Sequence, residues 1–240
     1  MHAGDVIETH LVETEPSDGI LQRPVPFSVV YEDDDILVVD KPADTPIHPS
    51  IGNYENTLAN GIAWYFEQKG EPFVYRCINR LDRDTTGLIV LAKHALSAAV
   101  LSQAMRSREI HRTYQAFALG ETAASGTIDA PIARLNGSLI QRTVDFASGE
   151  RSVTHYRTLA HCSVFSHLEL NLETGRTHQI RVHMAYIGHP LLGDTLYNKT
   201  PGTFPRQALH SASLSFVHPI TGEPLNFHAP LPEDMQNLLT

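Results

Sequence analysis

One stretch of the chain places a carboxylate among cations and hydroxyls, directly before a predicted core strand. Asp82 lies between Arg80 and Arg83, and the apolar run 88–92 follows. Neighbouring cations favour the ionised form of a carboxyl group, and a polar loop fixed to a buried strand can hold a reactive side chain rigidly. Asp82 could act as a nucleophile, a base or a metal ligand, or it could belong to a structural ion-pair network. The stretch taken by itself favours the ion-pair network.

A second polar segment lies about 90 residues later and predicts a helix rather than a metal site. Gly175 ends a predicted strand, and Thr177 is expected to cap a helix that runs to Ile187. His178 and His183 are five residues apart. A zinc-binding helix instead places two histidines four apart with a glutamate between them. Metal binding is therefore not expected here.

The segments around these motifs predict the elements that must hold them. Residues 27–31 and 36–40 favour strands, and 56–66 and 95–106 favour amphipathic helices. Residues 111–120 alternate like a half-buried strand, which puts Tyr114 on one face with Arg112. Such a tyrosine would ordinarily be a packing residue. Residues 126–172 are a series of short strands and turns, typical of antiparallel sheet.

Charge is distributed unevenly along the chain. The net charge of −9 argues at first against nucleic acid, because phosphate contacts need lysine and arginine. Residues 1–60, however, hold 12 acidic and two basic residues, whereas 61–240 hold 15 acidic and 16 basic residues. Seven basic residues lie within 76–112 against three acidic ones. These counts fit a local basic surface, and they fit arginines dispersed over several faces equally well.

Length and composition set the class of protein. The chain has 240 residues, of which 42% are apolar, enough for a sizeable core. No apolar run is long enough to cross a bilayer, and no basic segment followed by an apolar one marks a leader. The two cysteines, Cys77 and Cys162, have neither metal-binding nor redox spacing. The expected location is therefore the reducing cytoplasm.

Several motifs spread along the chain resemble those of one family. The central stretch Arg80-Leu81-Asp82-Arg83-Asp84-Thr85-Thr86-Gly87 resembles the catalytic signature of the RluA-type pseudouridine synthases. Further agreement lies in Lys41-Pro42 with His48-Pro49, in Arg112-x-Tyr114, in Gly175-Arg176-x-His178-Gln179-x-Arg181-x-His183 and in residues 188–197. The resemblance covers the chain from about residue 26 onward. One departure is Asn79, which stands where the family often has histidine.

The resemblance implies a reaction and the residues that carry it out. The reaction is isomerisation of uridine to pseudouridine in RNA, with no cofactor and no metal. Asp82 takes the position of the catalytic aspartate, and Tyr114 takes that of a tyrosine that contacts the target base and carries a proton. Arg181 takes that of the arginine paired with the aspartate. Arg80 would fill the space left by the flipped uridine, and a second tier of RNA contacts or supports comprises Asn79, Arg83, Arg112, Arg176, His178 and Gln179.

The resemblance also implies an architecture and a partner. The expected fold is the α+β pseudouridine synthase fold, a long mixed and mostly antiparallel sheet with flanking helices and a central catalytic cleft. Residues 26–240 would form the catalytic domain. Residues 1–25 would form an N-terminal arm, with a strand within 4–12, similar to the remnant of an upstream RNA-binding domain. The implied substrate is large-subunit ribosomal RNA first and transfer RNA second, and the implied state is a monomer.

Two other classes of protein stay open at this point. A carboxylate hydrolase would need a second acid across the cleft or a metal cluster; Asp84 is too close in sequence to oppose Asp82, and no cluster is evident. A non-catalytic RNA-binding relative would be favoured by loss of Asp82, Tyr114 or Arg181, and all three are present.

Overall fold

The computed structural model describes residues 2, 6 and 17–239. Apart from residue 6, the strand predicted within 4–12 lies outside the described residues. The strands are β1 (Ser28–Glu32), β2 (Ile36–Lys41), β3 (Thr86–Ala92), β4 (His111–Leu119), β5 (Ser125–Asp129), β6 (Ile132–Arg134), β7 (Arg142–Val144), β8 (Val153–His161), β9 (Phe165–Leu172), β10 (Leu209–Val217) and β11 (Pro224–His228). The helices are α1 (Leu58–Lys69), α2 (Ala95–Arg106), α3 (Gln179–Tyr186) and α4 (Glu233–Gln236).

Nine of these strands form one sheet in the order β1-β2-β3-β10-β4-β9-β8-β5, with β11 beside β10. Strands β6 and β7 form a separate ribbon. Every neighbouring pair in the large sheet is antiparallel except β3 and β10, which are parallel where Thr86 meets His210 and Gly87 meets Ser211. From Ser213 onward, β11 replaces β3 as the neighbour of β10 on that side. The predicted α+β architecture with a long, mostly antiparallel sheet is thereby confirmed.

The two faces of the sheet are covered by different helices. Successive side chains of a strand point to opposite faces. Accordingly, Ile36 of β2 packs in one cluster with Leu101 of α2, whereas Leu37 joins a second cluster with Ile62 of α1 and Met184 of α3. Strand β3 is buried along its whole length, between both clusters. Burial of each such aliphatic side chain stabilises the fold by about 1.5–3 kcal/mol, so β3 is a firm support for the loop that precedes it.

The helices begin close to where the sequence predicts. Helix α2 has the predicted bounds, but Leu96 and Val100 remain 48% and 38% exposed because the helix buries Ser97 and Leu101 instead. Helix α1 is capped by Thr57, whose side chain accepts the backbone N–H of residue 60 at 3.4 Å. Within the described part of the chain, no helix is long and apolar enough to cross a membrane.

The described part of the N-terminal arm lies along α1. The backbone N–H of Ser17 donates to Phe73 O at 3.3 Å, and that of Arg23 donates to Asn60 O at 3.2 Å. The contact is so close that a Cβ on Gly61 would lie 2.5 Å from a backbone oxygen of residue 25. Residues 17–25 therefore pack against the catalytic domain predicted for 26–240.

Candidate active site

Asp82 lies in the loop that leads into β3, and Asn79 ties that loop to the strand. The side-chain amide of Asn79 donates to Leu88 O at 3.1 Å, and its oxygen accepts the N–H of Val90 at 2.9 Å. Asn79 is only 4% exposed, so it acts as a support. Asp82 itself keeps 23% of its side chain exposed and is accessible from the cleft.

A buried lysine forms hydrogen bonds to the backbone of the same loop. Lys41 is fully buried at the end of β2, and its Nζ donates to Arg83 O at 2.8 Å and to Thr45 O at 2.9 Å. Burial lowers the pKa of Lys41 to about 7, against the raising effect of nearby Asp84 and Asp82. The Lys41 side chain thus fixes the backbone of the loop beside two carboxylates.

Arg181 of α3 bridges two carboxylates that come from different parts of the chain. Its Nη1 donates to Asp82 Oδ2 at 2.9 Å, while Nε and Nη2 donate to the two oxygens of Asp194 at 2.7 and 2.9 Å. Arg181 is 5% exposed and Asp194 is fully buried. Burial alone would lower the pKa of Arg181, but the hydrogen bonds and charges of Asp194 and Asp82 outweigh it and raise the pKa above its ordinary value. The guanidinium is therefore permanently charged and fixed in direction.

The turn before α3 differs from the prediction. The helix begins at Gln179, and the residue before it, His178, has the left-handed conformation with φ 58° and no capping side chain. The prediction that Thr177 caps this helix is wrong, because the left-handed turn at His178 separates Thr177 from the helical path. The turn also directs the His178 ring toward the cleft.

The His178 ring lies between a tyrosine and the Asp82 carboxylate. Its Nδ1 is 2.8 Å from the hydroxyl of Tyr197, and its Nε2 is 3.9 Å from Asp82 Oδ2. Burial lowers the pKa of His178 and the charge of Asp82 opposes that effect; burial raises the pKa of Tyr197. The guanidinium of Arg181 lies over the Tyr197 ring, with its Cζ 5.2 Å from the ring centroid.

Tyr114 completes the cleft from β4. It is 4% exposed and lines the same small cleft, about 50 Å³, as Asp82, His178 and Arg181. The rest of the lining consists of Leu81 and other apolar residues together with several polar ones. The three residues predicted to be catalytic, Asp82, Tyr114 and Arg181, are thus brought together from a loop, a strand and a helix.

A basic groove of about 460 Å³ opens beside this cleft. We call it the arginine groove; its cationic lining consists of Arg80, Arg106, Arg108, Arg112 and Arg176. Arg80 and Arg176 also line the cleft, so the two are continuous. Among the described residues, Nε of Arg112 is the single buried side-chain nitrogen or oxygen without a hydrogen-bond partner. Four predicted RNA contacts, Asn79, Arg80, Arg112 and Arg176, therefore line one groove.

Two other predicted RNA contacts are held by partners within the protein. Arg83 pairs with Asp44 on the surface, where both side chains are more than half exposed, and it lines neither the cleft nor the arginine groove. Gln179 is 3% exposed; its oxygen accepts from Thr174 Oγ1 at 2.8 Å and its nitrogen donates to Val153 O at 2.9 Å. Gln179 therefore fastens the start of α3 to β8.

Asp194 and Tyr197 are site residues to which the sequence analysis gave no role. Asp194 accepts the backbone N–H groups of Leu196 and Tyr197 at 3.0 and 3.2 Å. A short polar residue after Gly193 predicts such a turn. The same signal says nothing about an ion pair with Arg181.

One group of potential metal ligands occurs among the described residues, away from the cleft. Ligand atoms of Asp33, Asp35 and His218 lie within 4.8 Å of one another. Nε2 of His218 is 3.0 Å from Asp33 Oδ2, and Nδ1 accepts the N–H of Thr221 at 3.0 Å. Because both ring nitrogens are engaged, this group is suited to joining the β1–β2 turn to the turn after β10 rather than to holding a metal.

Comparisons with known proteins agree with the motif assignments. A family model described as RNA pseudouridylate synthase matches residues 35–186. An uncharacterized RNA pseudouridine synthase of Bacillus subtilis, YjbO, is 43% identical over 237 residues, which cover 98% of this chain and 83% of the relative. Ribosomal large subunit pseudouridine synthase D of Vibrio cholerae is 43% identical over 248 residues, which cover 97% of this chain and 75% of the relative.

Solved structures match the fold over nearly the whole chain. Human RNA pseudouridylate synthase domain containing 1 superposes with a TM-score of 0.72 at 26% identity, covering 90% of this chain and 86% of that one. Human RNA pseudouridylate synthase domain containing 4 gives 0.70 at 23% identity, covering 88% and 91%. The predicted pseudouridine synthase-like fold is confirmed.

Proposed function

The chain belongs to the RNA pseudouridylate synthase family and is an RNA pseudouridine synthase, and we propose that it modifies ribosomal RNA of the large subunit with Asp82 as its catalytic carboxylate. The observation that carries the assignment is the 2.9 Å ion pair between Asp82 Oδ2 and Arg181 Nη1 inside the cleft. A carboxylate oriented by a rigid, charged guanidinium is equipped for nucleophilic or proton-transfer chemistry.

The reaction is a balanced rearrangement of one nucleotide. The bond between the sugar and ring nitrogen 1 breaks, the base rotates and a bond forms between the sugar and carbon 5. The hydrogen of carbon 5 leaves to solvent as a proton, and ring nitrogen 1 takes up a proton in its place. No electrons leave the substrate and no water is consumed. The reaction therefore needs no redox partner, and we propose that it runs without cofactor or metal.

Each residue of the cleft has a distinct part in this proposal. Asp82 attacks the nucleotide or removes a sugar proton. Arg181 orients the Asp82 carboxylate through its hydrogen bond to Oδ2. Tyr114, at 4% exposure, contacts the base and carries a proton through its hydroxyl.

The RNA reaches Asp82 along the arginine groove. A paired uridine must leave its stack to reach Asp82 in the cleft. Arg80 lies where the cleft and the groove meet and makes no hydrogen bond within the described part of the chain, so its guanidinium is free to occupy the space that the uridine leaves. Arg112 and Arg176 face the flanking phosphates.

The choice of ribosomal RNA rests on the relatives. Pseudouridine synthases of Vibrio cholerae and Escherichia coli that are 41–43% identical to this chain are named for the ribosomal large subunit. Transfer RNA is the second candidate. We also propose a cytoplasmic monomer, since one chain supplies Asp82, Arg181 and Asp194 and both cysteines are free thiols. Light scattering after size exclusion tests the monomer.

Tritium release tests the chemistry and the target together. Ribosomal and transfer RNA labelled at carbon 5 of uracil are incubated separately with wild type and with Asp82→Asn. We expect release from large-subunit RNA by the wild type and a loss of at least about 1,000-fold in the variant, as for removal of a group that forms or breaks the bond.

Binding and folding of the variant separate the alternatives. Asp82→Asn should bind RNA within a few-fold of wild type and melt near it. Release from transfer RNA alone would overturn the ribosomal target. No release by wild type from either RNA, with intact binding, would favour a non-catalytic RNA-binding protein.

A further inference from the structure

The hydrogen bonds around Tyr197 determine where the proton of His178 lies. The Tyr197 hydroxyl oxygen accepts the backbone N–H of Arg142 at 2.8 Å. The same oxygen is 2.8 Å from Nδ1 of His178. Among the described residues, the hydroxyl has no other hydrogen-bond partner, so the hydroxyl hydrogen points to Nδ1. Nδ1 is then an acceptor, and the neutral ring carries its hydrogen on Nε2.

The neutral form of this ring is the expected one. Burial lowers the pKa of His178; the positive charges of Arg181 and Arg142 add to that effect, and the negative charges of Asp82 and Asp194 oppose it. A neutral ring with a bare Nδ1 has one N–H group to offer. That group is on the side that faces Asp82, where Nε2 is 3.9 Å from Oδ2.

Both donors of the cleft approach the same carboxylate oxygen. Arg181 Nη1 already binds Asp82 Oδ2 at 2.9 Å, and His178 Nε2, at 3.9 Å, is about 0.7 Å beyond hydrogen-bond range of that oxygen. No hydrogen bond within the described part of the chain reaches Oδ1. The backbone of His178 holds its ring there at a conformational cost, since φ is 58° and a left-handed residue other than glycine costs about 1–2 kcal/mol. Such strain is found at functional sites.

We propose that His178 is a neutral N–H donor to the catalytic carboxylate, which joins Arg181 on Oδ2 when the uridine enters and leaves Oδ1 as the reacting oxygen. The inference rests on the proposed function of Asp82. It assigns His178 a role other than that of a proton acceptor, because its Nε2 has no free electron pair. Tyr197 is a positioning residue that acts by fixing the tautomer of His178.

Two substitutions of His178 separate the effect of its N–H donor from the effect of its left-handed backbone conformation. Glutamine can place an N–H near the position of Nε2, whereas asparagine is too short to do so but tolerates the left-handed conformation better. We expect His178→Asn to lower kcat about 10- to 100-fold, the range for a lost hydrogen bond to a charged group, with KM nearly unchanged. His178→Gln should recover most of kcat. Full kcat in His178→Asn, or equal losses in both variants, would overturn the proposal.

The positioning role of Tyr197 is tested by comparing the effect of its substitution in the presence and in the absence of His178. Tyr197→Phe should lower kcat in the wild type and should have no further effect in the His178→Gln background, because glutamine has no tautomer to fix. Equal losses in both backgrounds would mean that Tyr197 only supports the fold and does not act through the ring.

The tautomer itself is measurable without any reaction. Long-range ¹H–¹⁵N correlation spectra of histidine-labelled protein, with His178→Gln to assign the signal, should show a protonated Nε2 and a bare Nδ1. A protonated Nδ1 would overturn the proposal. This measurement stands even if wild type releases no tritium, so that failure of the proposed activity and failure of the donor assignment are distinguishable.

Discussion

Arg181 serves two carboxylates with one guanidinium. Asp194 takes Nε and Nη2 at 2.7 and 2.9 Å, which leaves Nη1 for Asp82. The planar fork fixes the direction of the remaining N–H once two of its donors are held. A lysine would supply the charge without that direction, so the identity of the residue as arginine decides how Asp82 is aimed.

The lowered pKa of a single residue, Lys41, leads to a prediction about how the free energy of unfolding depends on pH. Burial lowers its pKa to about 7 from 10.5. Between these values the unfolded chain binds a proton that the folded protein does not, so this residue makes the free energy of unfolding rise with pH. Relative to Lys41→Met, we expect the wild type to gain up to about 1.4 kcal/mol of stability per pH unit above pH about 7.

Urea unfolding at several pH values measures the two slopes. Lys199→Met is the control, since Lys199 is exposed and its loss should leave the wild-type slope unchanged. If Lys41→Met has the wild-type slope as well, Lys41 is protonated in the folded protein throughout this range.

Elements with a regular pattern are the ones that the sequence predicts. The alternation in 111–120 and the amphipathic pattern in 95–106 correspond to β4 and α2 with nearly the right bounds. The start of α3 is mispredicted because one left-handed residue, His178, changes the path of the chain. The pair of Arg181 with Asp194 spans 13 positions across a turn, and no periodic pattern signals such a contact.

The contact between β3 and β10 yields a prediction at the scale of elements. Gly87 has φ 112°, and a Cβ there would lie 2.3 Å from the backbone oxygen of Ser211. An added methyl group can be accommodated only if the two strands separate. We expect Gly87→Ala to lower the free energy of unfolding by at least about 3 kcal/mol, since strain and overpacking combine.

Gly137→Ala is the matched control. Gly137 has φ 78° and nothing within 4 Å of its Cβ position, so its substitution should cost only the conformational strain of about 1–2 kcal/mol. Urea unfolding of both variants provides the comparison. Similar losses would show that φ alone, and not the approach of β10, makes glycine necessary at Gly87.

At the scale of the whole molecule, positive charge is concentrated in one groove although the net charge is negative. The chain carries −9 overall, yet five arginines line one groove that contains a single acidic residue, Glu173. Negative charge elsewhere repels RNA, and the groove attracts it. RNA should therefore be confined to the face that carries Asp82.

Salt dependence tests this separation. The affinity of Asp82→Asn for RNA is measured by fluorescence anisotropy at several potassium chloride concentrations. The logarithm of the affinity should fall linearly with the logarithm of the salt concentration. Arg106→Gln and Arg108→Gln should each reduce the magnitude of the slope by about 0.7, the value for one phosphate contact on a single strand. Both side chains are exposed, so folding should be unaffected.

Arg157→Gln serves as the control for that experiment. Arg157 is exposed, pairs with Glu169 on β9 at 3.0 Å and does not line the arginine groove. The salt-dependence slope with Arg157→Gln added should equal that of Asp82→Asn alone. A reduction as large as in Arg106→Gln would mean that RNA covers the β8 face as well.

The central position of β10 also has consequences for synthesis of the protein. It is the tenth of the eleven described strands to leave the ribosome, yet it joins β3 on one side to β4 on the other. Until residues 209–217 emerge, β1–β3 and the sheet of β4, β9, β8 and β5 are two unconnected pieces with open edges. Closing the long loop between Gly87 and Ser211 is slow, and open edges invite aggregation. The nascent chain thus contains Asp82, Tyr114, His178 and Arg181 before β10 can complete the sheet that positions them, and activity begins in one late step.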